Sequence, residues 1–464
     1  MNRRSFGGAL ASSALGLGCA SVEAQEKTEL PWLDPEFAKL PTLDEQVNDL
    51  AAKAVEAQTS PRRMDAMPVT GAPVNLGGFD RQLIARMKER GLVGVAVAIA
   101  IHGRLVVAKG YGRLSSRQPA PVTPTTPGFL GSITKPLCAM SALTLARDGL
   151  LDLDSRVLDI LPLQPLLKPG EQRQNEIDQV TVRMLMNHTS GLFNVVEQLY
   201  DDAYYTRLAA NGQIRLVHGD VSQYDLVRRG MSVPFVAPPG REAHYSGQGL
   251  QVLGRIIETV SGQRLDKQIL EGLLRPCGVR NHATLSYLSP ETRLLINQGD
   301  AESVGCMIPS EFDAKAKRCL SWRFRGLDAP YGNQWGGADS CGSSMMSCLD
   351  LVRFLCVFPK VIGNKLYRES MQHPRVRNNT FHGLGWGCGR HGDKYQFGHG
   401  GAIPGARAFC ESTWDGVQYA VLVAGDQDPS VDAINQLVLK LGRVMRDRDN
   451  AADLWSAYGY ADLK

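Results

Sequence analysis

No stretch of the chain approaches the run of about 18 apolar residues that a membrane-spanning helix needs. No long lysine or arginine run occurs either, and 51 basic against 47 acidic residues leave a net charge of only +4. Nucleic-acid binding therefore has no electrostatic support. The ten cysteines include no C-x-x-C pair, which removes the common cysteine zinc and redox motifs. The nine histidines include no H-E-x-x-H, which removes the helical metallohydrolase motif. No internal repeat is visible. What remains is 464 residues of ordinary globular composition, long enough to bury a large core.

Residues 1–24 read as an export signal rather than as structure. Arg3 and Arg4 precede Ser5 and Phe6, a modest apolar run follows, and Val22-Glu23-Ala24 suits cleavage by a small-residue rule. Paired arginines of this kind resemble a twin-arginine signal, so an exported, periplasmic or extracellular location is expected. Cys19 offers a rival reading as a lipid-attachment site, although Gly16 stands where that motif wants an aliphatic residue. Loss of Cys19 leaves an odd number of cysteines, whose pairing is not readable.

Residues 25–78 read as an extension and linker, with Thr42 capping a helix to about Gln58. Phe79, Leu83 and Met87 recur every four residues, as on an amphipathic helix. Two β-rich runs follow, "LVGVAVAIAI" and "RLVVAKGYG", joined at His102-Gly103 as a hairpin. A long apolar helix is expected from about Ser132 to Gly149, because Pro136 is tolerated best in a first turn. Residues 155–370 are mostly helical in pattern. "GHGGAIPGARAFCEST" and "VQYAVLVAGDQD" then read as a strand pair, and "AINQLVLKLGRVM" as a closing helix. The expected class is α+β: an antiparallel sheet flanked by helices, with a mostly helical insertion over about 155–370. The compact domain spans 79–445, and 446–464 is a tail.

Three stations bear chemistry. The first is Ser132-Ile133-Thr134-Lys135, the single S-x-x-K of the chain. Residues three apart share a helix face, so Lys135 lies beside the Ser132 hydroxyl. Burial disfavours a charged lysine, and a neutral lysine beside a serine is a base beside a nucleophile. The helix start also aims unpaired N–H groups at the serine oxygen. The second station is Tyr245-Ser246-Gly247, just before the amphipathic stretch "GLQVLGRIIETVSG". The third is His399-Gly400-Gly401 on an expected strand. Each has a plain structural reading: a chance spacing, a core tyrosine, a histidine bonded to backbone. The acidic, aromatic segment at Tyr200, Asp201, Asp202, Tyr204 and Tyr205 reads as a solvated loop or the rim of a substrate entrance, and His188 as a brace for its loop.

Together the stations resemble the serine β-lactamase and penicillin-binding-protein superfamily, in its class C-like branch with esterases and D-stereospecific peptidases. That family carries S-x-x-K, Y-x-N and K-T-G or H-x-G in this order. "MLMNHTSGL" at 184–192 and "GLLDLDSRV" support the likeness. The resemblance implies an acyl-enzyme on Ser132, with Lys135 and Tyr245 moving protons and the N–H groups of Ser132 and Ala402 holding the oxyanion. His399 takes the place of the usual lysine, and Gly400 and Gly401 let substrate approach the strand. Small-molecule esters or amides are the implied substrates, and no cofactor is required. The family's second motif ends in Asn, but Gly247 stands here, which weakens the case for β-lactams and peptides. A carboxylesterase is expected first. A D-amino-acid-specific peptidase or β-lactamase, and a catalytically weak binding protein, are the alternatives.

Overall fold

The computed structural model describes residues 67–74, 76–115, 120–194, 202–214, 221–284, 306–307, 322–324, 327–329, 339–378, 382–403, 405–425, 432–447, 451–461 and 463. The signal at 1–24, Cys19 and the helix expected at 42–58 lie outside these residues.

Seven antiparallel strands form the main sheet. They are β1 (Val69–Gly71), β2 (Leu92–Ile101), β3 (Arg104–Gly112), β4 (Gly387–His391), β5 (Lys394–Ile403), β6 (Ala406–Ser412) and β7 (Val417–Gly425). Their order is β1-β3-β2-β7-β6-β5-β4, so the two ends of the domain meet where β7 pairs with β2. The continuous apolar run of β2 is explained by burial of both faces. Val95, Val97 and Ile99 point to α1 (Phe79–Glu89) and α5 (Asp432–Arg446), where Leu83, Met87 and Val438 are fully buried. Ala96, Ala98 and Ala100 point the other way, and Ala420 and Leu422 of β7 join them. The period of two thus sorts bulky side chains to one face and small ones to the other.

On the alanine-rich side α4 (Cys348–Ile362) packs on β2 and β7, and α2 (Thr134–Arg147) packs on α4 and on α3 (Gly247–Ser261) within the same core. Although α4 falls within residues 155–370, it packs on the main sheet. A three-stranded sheet joins Pro127–Phe129 to Ser344–Ser347 and Ala283–Thr284. It ties the chain just before Ser132 to the segment around Cys341.

Three sequence expectations need correcting. The expected linker contains β1, whose three residues are too few to show a period, and β1 forms the sheet edge beside β3. "GHGGAIPGARAFCEST" is two strands, β5 and β6, reversing between Ile403 and Ala406 at Gly405, φ +73°. Of the acidic, aromatic stretch, Tyr200 and Asp201 lie outside the described residues; the rest opens a helix, Asp202–Ala210, in which Tyr204 and Tyr205 are buried against Phe193 and Leu226 rather than solvated. At the C-terminus, residues 451–461 pack onto the body. Trp455 is fully buried and donates its indole N–H to the carbonyl of Gly103 at 2.8 Å, while the Tyr460 hydroxyl donates to Asp350 at 2.8 Å.

Candidate active site

Ser132 sits in a single 3-10 turn, Gly131–Ile133, which runs directly into α2. The helix starts where Pro136 predicts. Thr134 ties the turn: its hydroxyl donates to the Gly131 carbonyl at 2.8 Å and accepts the N–H of Ser344 at 3.0 Å. Ser132 is half-buried, whereas its neighbours Gly131, Ile133 and Lys135 are buried.

Lys135 is 4% exposed, and its Nζ donates to two oxygens: Ser132 Oγ at 3.2 Å and the Cys341 carbonyl at 2.7 Å. Nζ also lies 4.8 Å from the centre of the Tyr245 ring. The serine, the lysine and the tyrosine therefore converge. Nothing in the sequence points to Cys341, because a backbone carbonyl carries no residue signature. A buried ion pair between Arg255 of α3 and Asp339 holds the start of its segment.

Strand β5 passes unusually close to the Ser132 turn. A β-carbon on Gly401 would fall 1.7 Å from the Leu130 carbonyl oxygen, and one on Gly131 would fall 2.6 Å from the Ala402 nitrogen. Both positions thus require glycine. Among the described residues, β5 pairs with β4 only as far as Gly398. This approach brings the main chain of Ala402 beside that of Ser132.

Three histidines crowd Tyr245. The ring centroids of His188, His382 and His399 lie 4.6, 6.0 and 6.2 Å from it. Desolvation first, then His382, Lys135 and His399, push His188 well below its ordinary range. Desolvation, with a smaller push from His373, takes His382 down to about 4. Desolvation and then Lys135 lower His399 too, although part of its surface stays open to solvent. All three are neutral at neutral pH, so none of them adds a charge beside the phenol. His399 Nδ1 lies 2.6 Å from the Gly400 carbonyl, which can only accept. That fixes the proton on Nδ1 and leaves Nε2 as an acceptor. His382 has no sequence motif and was missed by sequence reasoning.

Neutral histidines carry a stability consequence. Buried His282, bonded to Ser344 Oγ at 3.0 Å, is also pushed down to about 4 by desolvation. An unfolded histidine takes up its proton near pH 6.5, so between about 6.5 and 4 the unfolded chain binds more protons than the folded one. Stability must therefore fall on acidification through that window. Melting curves at stepped pH should show it, with a shallower fall in His282→Asn. A melting temperature that rises from pH 6.5 to 4 would contradict this assignment.

Gly247 opens α3 behind Tyr245. Its N–H donates to Asn194 Oδ1 at 3.2 Å, and a β-carbon there would fall 2.6 Å from the Asn194 carbonyl oxygen. The glycine is thus required by the close approach of the 193–194 segment. Gln248 offers no substitute amide to the site, since its side chain packs against Gly230. Gly247→Asn is expected to lower the melting temperature by several degrees rather than to improve amide cleavage. Melting curves with ester and amide kinetics on that variant decide between the two.

The other candidate nucleophiles lack support. No disulfide joins any of the eight described cysteines. Burial pushes Cys138 well above its ordinary range, which makes it a core residue. Among the described residues no cluster of His, Cys, Asp or Glu is arranged to hold a metal, and no helix is long and apolar enough to cross a membrane.

The chain is similar to known proteins. Esterase EstB of Burkholderia gladioli is 30% identical over 258 residues, 55% of this chain and 59% of the esterase. Protein flp of Staphylococcus aureus strain N315 is 28% identical over 198 residues, 43% of this chain and 36% of flp. The matched stretch therefore spans less than two thirds of either relative. Two solved structures share the fold. D-amino acid amidase from Ochrobactrum anthropi SV3, complexed with L-phenylalanine amide, has a TM-score of 0.59 at 18% identity and covers 81% of this chain and 100% of its own. The octameric penicillin-binding protein homologue from Pyrococcus abyssi has a TM-score of 0.58 at 24% identity, covering 80% of this chain and 78% of its own. The Beta-lactamase family model matches residues 79–443, from the first residue of α1 into α5 and across all three stations, and the chain belongs to that family.

Proposed function

We propose that the protein is a serine hydrolase that cleaves small or medium carboxylic esters through an acyl-enzyme on Ser132. The observation that carries this reading is the Lys135 Nζ, which donates to Ser132 Oγ at 3.2 Å while lying 4.8 Å from the Tyr245 ring centre. Ser132 Oγ attacks the ester carbonyl carbon and gives its proton to the free lone pair of unprotonated Lys135, which passes it on to Tyr245. The carbonyl oxygen takes up negative charge beside the N–H groups of Ser132 and Ala402. The bond to the leaving oxygen breaks, and Tyr245 returns the proton to that oxygen. Water then attacks the acyl carbon, releases the acid and restores the Ser132 hydroxyl. Neutral His399 adds an acceptor at Nε2 and no charge.

Esters are favoured over amides for two reasons. Gly247 brings no side chain to bond a substrate amide, and a buried amide left unpaired costs about 1–3 kcal/mol. One relative, matched over 55% of this chain, is an esterase. Matched p-nitrophenyl butyrate and butyryl p-nitroanilide test the preference beside D-phenylalanine amide and a chromogenic cephalosporin. Ester turnover should exceed amide turnover by more than the intrinsic reactivity difference. Faster cleavage of the amides or the cephalosporin than of any ester would overturn it.

We also propose that residues 1–24 direct export, on the paired arginines and Val22-Glu23-Ala24. N-terminal sequencing of the protein recovered outside the cytoplasm should then begin at Gln25. A lipid-modified Cys19 at the new terminus would instead make it an anchored lipoprotein.

A further inference from the structure

The backbone on both sides of Tyr245 is held by one residue. The His188 carbonyl accepts the N–H of His244 at 2.8 Å, and His188 Nδ1 accepts the N–H of Ser246 at 3.2 Å. The His188 ring also packs against the Tyr245 ring, with centroids 4.6 Å apart and planes at 41°. Carbonyl and ring reach the same segment because His188 has φ +62°, in the left-handed region that β-carbon sterics disfavour.

The imidazole is kept for its acceptor. His188 is 1% exposed. Since Nδ1 accepts from Ser246, the neutral ring carries its proton on Nε2. That Nε2–H is buried and makes no hydrogen bond among the described residues. A buried donor without a partner is unfavourable, so a ring serving only to fill space would do better as an apolar side chain. What the histidine offers is the Nδ1 lone pair, and desolvation with Lys135 and His382 nearby keeps the ring unprotonated and that lone pair free.

We propose that His188 is the positioning residue of Tyr245. It fixes the phenol relative to Lys135 and so aligns the proton path, taking no proton itself. This rests on the reading of Tyr245 as the proton relay. The test is a cycle of His188→Leu and His188→Asn, each in the wild-type and Tyr245→Phe backgrounds. Asparagine tolerates positive φ and places Oδ1 where Nδ1 stood. kcat and KM are measured on p-nitrophenyl butyrate, per active site counted with a fluorophosphonate probe.

The expected results are a roughly 100-fold fall in kcat for His188→Leu with KM changed less than about 3-fold, and a fall of under about 5-fold for His188→Asn. In the Tyr245→Phe background, His188→Leu should cost less than about 3-fold, because the group it positions is gone. Should His188→Leu fail to fold, His188→Gln replaces it, with its acceptor at the Nε2 place and the same expectation. An equal loss in both backgrounds, or Asn no better than Leu, overturns the positioning role while Tyr245→Phe is itself crippled. A fully active Tyr245→Phe enzyme overturns the relay reading, and the positioning role falls with it.

Discussion

Ser132→Ala is expected to lower kcat by about 10⁴- to 10⁶-fold, the range in which removing a serine nucleophile leaves only binding and oxyanion contacts. The fold should survive. Ser132 is half-buried, its hydroxyl accepts one hydrogen bond from Lys135, and Lys135 Nζ keeps its bond to the Cys341 carbonyl. The Thr134 bonds that tie the turn do not involve the Ser132 side chain. Steady-state kinetics with a melting curve test both parts. Activity within tenfold of wild type in a folded variant would remove Ser132 from the chemistry.

Lys135→Arg is the second large effect, expected to lower kcat by about 10²- to 10⁴-fold. Lysine can give up its proton and take one back, whereas the guanidinium stays charged at any working pH. Arginine would thus hold a permanent positive charge beneath Tyr245 and keep donors to Ser132 Oγ and the Cys341 carbonyl, but could not take up the serine proton. Its extra bulk must fit a position that is 4% exposed, so the melting temperature must be read beside kcat. Lys135→Met controls for size and also leaves the Cys341 carbonyl without its donor. Both variants should lose turnover together. If Lys135→Arg keeps near-normal kcat while Lys135→Met is dead, the lysine acts only through its charge.

How much of this was legible depended on whether a residue signals through its side chain. Ser132, Lys135, Tyr245 and His399 carry their chemistry in side chains at recognisable spacings, and the fold brings all four into one neighbourhood. Main-chain contributors carry no such signature: the N–H groups of Ser132 and Ala402 came only through the family resemblance, and the Cys341 carbonyl did not come at all. The Cys341 carbonyl accepts from Lys135 through an atom that any residue there would supply. The close approach of β5 to the Ser132 turn shows only as glycines at 131 and 401, among 48 glycines in the chain. The alternating face of β2 looked like an unbroken apolar run because both faces are buried, so its partners could not be told apart from sequence alone. Gly247 was legible as a departure from the motif, but its cause lies 53 residues away at Asn194.

The most direct test of the central claim is an intact-mass measurement of the enzyme mixed with p-nitrophenyl butyrate and quenched during turnover, followed by peptide mapping. A single butyryl adduct is expected on the peptide carrying Ser132, absent from Ser132→Ala and longer-lived in Lys135→Met. Butyryl groups on Ser246, Ser343 or Cys138 that form and decay at the turnover rate, with none on Ser132, would contradict it.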